Sequence, residues 1–493
     1  MVLSSDSISD EALVVNTSYG KVRGVYVEHA RVFFGVPYAA PPTGKYRWSP
    51  PHRHVGWFPG IYNATEDPPG CIQKCTNFLA NSCPNKTSED CLSLTIFTPL
   101  TATPTSMLAV MVYIHGGSFI ERSGYTLIQD GRYIANHTNT ITVFINYRLG
   151  ALGFLPIVDE SSPNGNYGIF DQRFALEWVK DNIVAFGGDS SMVTIVGQSV
   201  GAQSVAIHLT TPRSQQLFHR AIMESCPLGG IRFLTKREAQ IQASDLMTYL
   251  GCINTNELEC MRSKSADDIL NAQYSIIQNQ KLMDYTQPWG PYLDGNDIVK
   301  QIAQSFLDDD YQNKPIIMGF VADDARDSLY RLFPQPMNET QFSGFFSKMM
   351  IGKSTDIFHP SENNDYRDIA SQLLLLYTFA CPIKYISQHL SLANISIWNY
   401  VFDHPFSFDG WDPELTYCTN YSCHCVELPF LFHSVTLIGL NYSNDEEILA
   451  YSLIQYWGLL KISLDPAVYM EEVVIVTSYL MYVNLFIDYP GDE

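Results

Sequence analysis

The segment Val193-Thr-Ile-Val-Gly197-Gln198-Ser199-Val200-Gly201-Ala202 constrains this chain more than any other. A β-branched run, which favours a buried strand, passes through Gly-x-Ser-x-Gly into Gly201 to Leu209, which can run as a helix. Reversing from strand to helix over so few residues forces the central residue into a strained backbone conformation. Glycines two before and two after Ser199 remove the Cβ atoms that would collide. The turn lifts the Ser199 hydroxyl clear of the sheet, and the helix start offers N–H groups and a favourable dipole to an oxyanion. A nucleophilic serine is the expectation. A Gly-flanked turn with a capping serine satisfies the same pattern; strand before and helix after are what favour catalysis.

Upstream, the buried run Ala109–Ile114 leads into His115-Gly116-Gly117-Ser118-Phe119. Consecutive small residues let a backbone pass close to a substrate carbonyl with its N–H groups turned inward, as in the H-G-G loops that partner such elbows in lipases and esterases. The predicted donors are the amides of Gly117, Ser118 and Val200. His115 has the residue type of a general base, but its place at a strand end favours a packing or loop-ordering role.

Further buried runs fall at Ile141–Tyr147, Val193–Val196, Ala221–Met223, Ile316–Gly319 and Ile395–Val401. Helical spacing at Phe174, Ala175, Trp178, Val179 and Ile183, and again over Tyr366–His389, separates some of them. Strands alternating with helices imply an α/β fold, a large and mostly parallel sheet covered on both faces, with the working residues beyond the carboxyl ends of the strands. The 493 residues carry no linker-like tract, charge block or internal repeat. One domain over residues 12–488 is therefore expected.

Thirty basic and 51 acidic side chains leave a net charge of −21, which argues against nucleic acid. Eleven cysteines, four of them between Cys71 and Cys91, and eight N-x-S/T sequons point to an oxidising, glycosylating route. The sequons begin at Asn16, Asn63, Asn85, Asn136, Asn338, Asn394, Asn420 and Asn441. No C-x-x-C pair suggests zinc. Met1 to Asp10 is polar with no apolar h-region, consistent with a processed chain. No segment reads as a membrane span; the nearest, Val473 to Ile487, is broken by Thr477, Ser478 and Asn484 and is expected to be buried strand or helix.

Beyond the elbow, Phe33-Phe-Gly-Val-Pro-Tyr-Ala-Ala-Pro-Pro-Thr-Gly44, Ser88-Glu-Asp-Cys91-Leu, Asn146-Tyr-Arg-Leu-Gly150 with Gly153-Phe154-Leu155, Gly165-Asn-Tyr-Gly168 with Asp171-Gln-Arg173, and Phe186-Gly-Gly-Asp189 stand in order along the chain. Together they resemble blocks of the type-B carboxylesterase/cholinesterase family over about Val15 to Leu464. The resemblance implies an α/β-hydrolase fold and a triad in the order Ser, acid, His. Its acid loop corresponds to Gly319-Phe-Val-Ala-Asp323-Asp324-Ala325, which puts Asp324 where the family usually has Glu, with Asp323 as the fallback. Its histidine block corresponds to Cys423-His424-Cys425-Val-Glu427-Leu-Pro-Phe430-Leu-Phe432, which nominates His424 over His433; Cys425 replaces the usual Gly. The resemblance also implies bridges Cys71–Cys91 and Cys252–Cys260, with Cys75–Cys83 nested in the first, and a Cys418–Cys423 clamp ahead of His424. Cys226, Cys381 and Cys425 stay unassigned.

What the resemblance implies chemically is ester hydrolysis through an acyl-enzyme, with a small-molecule ester as substrate and no metal or organic cofactor. A homo-oligomer is compatible with it. Cholinesterases hold a quaternary ammonium on a Trp in the loop closed by the first two paired cysteines; that position counts to about Asn81, and no Trp lies between Cys71 and Cys91. Gln198 also replaces the Glu common before the nucleophile. A general carboxylesterase is thus expected, with Trp289 and Tyr292 either lining the acyl side or packing. Departures at Gln198, Val200, Asp324 and Cys425 cluster at the site and keep open a weakly active or inactive member serving in storage, adhesion or packing.

Overall fold

The computed structural model describes residues 13–459, apart from 77, 157–164, 254–255, 279–286 and 348–363. The polar start of the chain and Val473–Ile487 lie outside the described residues. The central sheet has nine strands: β1 Val25–Val27, β2 Ala30–Pro37, β3 Ser93–Pro99, β4 Leu108–Ile114, β5 Ile141–Ile145, β6 Gly188–Gln198, β7 Arg220–Glu224, β8 Ile316–Val321 and β9 Ile397–Phe402. Their spatial order is β9-β8-β7-β6-β4-β5-β3-β2-β1. Strands β5, β4, β6, β7, β8 and β9 run parallel. Strands β3, β2 and β1 join antiparallel at the β5 edge. This is the α/β-hydrolase fold, its sheet mostly parallel as expected.

The parallel strands read as unbroken apolar runs because both of their faces are covered. Helix α1, Tyr167–Asn182, and helix α2, Val200–Thr210, both bury most of their residues. Strands β2 and β3 are almost wholly buried as well, yet β2 runs into the Phe33–Gly44 block and β3 lies beside Cys91. Neither was read as a strand.

The helical stretch read over Tyr366–His389 is longer and more apolar than its spacing suggested. Arg367–Leu392 forms a continuous helical run whose most apolar window has a mean hydropathy of 1.4, long and apolar enough to cross a bilayer. Half of that window is buried inside the protein. Its last part, helix α3 Cys381–Leu392, packs against β8 and β9 as a core helix does.

Several motif residues serve the frame. Arg148 makes a two-pronged ion pair with Asp171 at 2.7 Å, both fully buried. Arg47 grips Glu89 at 2.6 and 2.7 Å. Disulfides join Cys71–Cys91, Cys75–Cys83, Cys252–Cys260 and Cys418–Cys423, while Cys226, Cys381 and Cys425 are free thiols.

Candidate active site

Ser199 follows the last residue of β6 and precedes the first of α2. Its backbone sits at φ 60° and ψ −126°, a conformation that side chains rarely adopt. Two bonds pin it there. Its amide donates to the Glu224 carbonyl at 2.8 Å, and its carbonyl accepts from the Gln203 amide at 3.1 Å. The flanking glycines are sterically required. A Cβ on Gly197 would lie 2.4 Å from the Gly201 carbonyl, and one on Gly201 would lie 2.1 Å from the Ile114 oxygen.

The glycine loop lies directly against this turn. A Cβ on Gly116 would stand 2.7 Å from the Gln198 oxygen and 3.1 Å from the Ser199 Cβ. Gly117, Ser118 and Phe119 all have positive φ, between 52° and 98°. Three successive left-handed residues curl the chain so that adjacent amides point to one side. Among the described residues the amides of Gly117 and Ser118 have no hydrogen-bond acceptor. Val200 contributes the first amide of α2. His115 holds the loop rather than reacting: it is buried, stacks on Tyr147 with ring centroids 4.4 Å apart, and meets the Gly116 carbonyl through Nδ1 at 2.8 Å. Burial lowers its proton affinity to a pKa of about 4, so the imidazole is neutral.

Asp324 and Asp323, side by side after β8, do different work. Asp324 meets His424 Nδ1 with one carboxylate oxygen and accepts the Val321 amide at 3.2 Å with the other. Asp323 exchanges backbone and side-chain bonds of 3.0 Å with Ser422. It thereby staples the acid loop to the histidine loop, whose other end is tied by Cys418–Cys423. His433, the rival, is bound to Glu447 at 3.1 Å and lies in a cluster with Tyr133, Tyr442 and Tyr451.

His424 Nε2 lies 3.2 Å from the Gln198 side-chain amide, while the Ser199 hydroxyl has no hydrogen-bond partner among the described residues. A carboxamide N–H donating to Nε2 needs that nitrogen unprotonated, with the ring proton on Nδ1 toward Asp324. This is the tautomer a general base requires. Nε2 therefore meets the elbow at Gln198, the residue next to Ser199, and makes no hydrogen bond to the Ser199 hydroxyl. Burial works against charging His424, but the neighbouring Cys425 and the Asp324 carboxylate outweigh it and raise its pKa above the ordinary imidazole value.

Trp289 and Tyr292 are both buried. The Tyr292 hydroxyl accepts the Gly165 amide at 2.9 Å, and its backbone exchanges two bonds with the Asn166 side chain. For Tyr292 these contacts favour packing. Asn81 lies at positive φ beside a bridge between Leu79 and Trp411. Sequence reasoning did not single out Trp411, since no spacing links it to the Cys71–Cys91 loop. Among the described residues no cluster of His, Cys, Asp and Glu could hold a metal ion. All eight sequon asparagines are exposed.

The Carboxylesterase family model matches residues 11–459. The chain is 35% identical to the cAMP-regulated D2 protein of Dictyostelium discoideum over 454 residues, covering 90% of this chain and 83% of the relative. It is 33% identical to the Crystal protein of Dictyostelium discoideum over 449 residues, covering 89% and 80%.

Proposed function

The chain belongs to the carboxylesterase family, and from that premise we propose that it is a serine carboxylesterase working in the secretory lumen or outside the cell. The observation that carries this reading is the line Asp324–His424 Nδ1 with Nε2 directed at the residue beside Ser199. In the proposed reaction His424 takes the Ser199 proton as the hydroxyl attacks the ester carbonyl. The oxyanion gathers the amides of Gly117, Ser118 and Val200, which need no rearrangement because nothing described occupies the first two. Collapse expels the alcohol, protonated by His424, and water repeats the cycle on the acyl-enzyme. Asp324 holds the tautomer and stabilises the imidazolium. Four disulfides and eight exposed sequons support the secretory setting.

Gln198 supports a second reading. Its amide holds the nitrogen that should face Ser199, and one relative bears the name Crystal protein. In a storage or packing protein that contact would be permanent; in an esterase the amide yields Nε2 to the hydroxyl when substrate enters, as catalytic contacts often tighten only in the complex. Turnover of p-nitrophenyl acetate by the glycosylated chain, abolished in Ser199→Ala, together with labelling by a fluorophosphonate, supports the esterase. A folded chain that neither turns over nor labels is not one.

A further inference from the structure

Behind the Asp324–His424 pair lies a buried acidic cluster that the proposed chemistry does not use. In-register pairing sets Gln198, Glu224, Gly319 and Tyr400 in one row across β6, β7, β8 and β9. Parallel in-register neighbours project to the same face, so Glu224 shares a face with Gln198, which touches His424. Gly319 makes room for the Tyr400 ring: a Cβ there would fall 2.2 Å from it. Glu427, three residues past His424, opens helix α4, Glu427–Leu431, and its charge acts on Glu224.

Glu224 and Glu427 are both about fully buried, at 0% and 1% exposure. Glu224 accepts the Trp457 indole N–H at 2.5 Å with one oxygen. Its other oxygen, both oxygens of Glu427 and the hydroxyl of Tyr400, itself more than nine-tenths buried, have no hydrogen-bond partner among the described residues. Asp324, His424, Cys425, Tyr113, Tyr400 and Trp457 are the titratable and polar groups that face the pair. His424 is the one group among them that can become a cation, and Asp324 is its direct partner. Burial, then the charge of Asp324, raises the pKa of Glu427; burial, then Glu427, raises that of Glu224.

We propose that Glu224 and Glu427 keep one proton between them at neutral pH, so that the pair carries a single charge and regulates the proton affinity of His424. Two ionised glutamates beside Asp324 would stabilise the imidazolium so strongly that the base stayed protonated and could not accept the Ser199 proton. One retained proton limits that field, and the unpartnered oxygens and the Tyr400 hydroxyl are the groups over which it, and a buried water, can be distributed. Both glutamates are positioning residues: they act on the reaction through His424. The inference rests on the esterase reading for its kinetic consequence but not for its protonation state.

Two measurements test it on the full glycosylated chain. Infrared spectra at neutral pH should contain an un-ionised carboxyl band that both Glu427→Gln and Glu224→Gln lose, because each variant leaves one lone carboxylate. In kcat/KM profiles with a p-nitrophenyl ester, whatever happens to kcat, each single variant should keep the acidic limb in place, since the pair's charge is unchanged. The Glu224→Gln/Glu427→Gln double variant should move that limb to lower pH by about one unit or more, as a negative charge near His424 is gone. A limb that already shifts down in the single variants, with no un-ionised band in the parent, means both glutamates were ionised and overturns the proposal. An unmoved limb in the double variant overturns it as well. If the parent shows no turnover the esterase reading fails, and the infrared band still decides the protonation state.

Discussion

Around Ser199 the site is held by main chain pressed against main chain. Gly116 and Gly201 each leave less than 3 Å between a would-be Cβ and a neighbouring backbone oxygen, and Gly197 comes as close to the Gly201 carbonyl. No ionised side chain takes part. Around His424 the site is held by side chains: a carboxylate on Nδ1, a carboxamide on Nε2, a thiol beside the ring, a second aspartate stapling two loops, and a disulfide. Sterics permit no alternative residue at the first side. Electrostatics tolerates changed residue types at the second, provided that charge and reach survive. The departures from the family pattern respect that difference: Asp324 and Cys425 change residue types on the base side, while Gln198 and Val200 change only the positions of the elbow that are not glycine, leaving Gly197 and Gly201 in place.

The contrast is broken most directly by Asp324→Asn. If the base side works through charge and tautomer, the fold survives and kcat for an activated ester falls by about four orders of magnitude. Retained turnover would mean that Asp323 or Glu427 supplies the acid. Gly201→Ala probes the other side. A Cβ placed 2.1 Å from the Ile114 oxygen forces the elbow and the glycine loop apart, costing roughly 1–3 kcal/mol of stability or more and with it most activity. Unchanged thermal denaturation and turnover would refute the steric account. Cys425→Gly has the smallest expected effect. Cys425 stands at φ 72°, and relief of a left-handed conformation offsets the lost packing to within roughly 1 kcal/mol. Because the thiol raises the proton affinity of His424, its removal lowers the His424 pKa and moves the acidic limb of kcat/KM to lower pH. A limb that moves up, or a chain that no longer folds, would show the base side to be as sterically exacting as the nucleophile side.

What could be read in advance follows the same division. The strand–turn–helix around Ser199, the glycine loop and the alternation of strands and helices are local patterns, and short-range sterics and periodicity suffice to specify them. Cysteine pairings and the Ser-acid-His order came through resemblance, since their partners are distant along the chain. The antiparallel strands Ala30–Pro37 and Ser93–Pro99 escaped notice because Arg31, Ser93, Thr95 and Thr98 interrupt their apolar runs although all four are buried. The long helix was legible from its spacing over Tyr366–His389, and the structure carries it over Arg367–Leu392.

By itself, then, the order of residues determined the elbow, because a glycine's lack of Cβ is a property of one position and its immediate neighbours. Only the folded sheet decided that Asp324 and not Asp323 meets the imidazole, that Gln198 lies on Nε2, and that Glu224, Tyr400 and Glu427 converge behind the pair. Those are relations between strands far apart in the chain. Strand register sets them, and with them the desolvation and mutual fields that give a carboxyl or an imidazole its working charge.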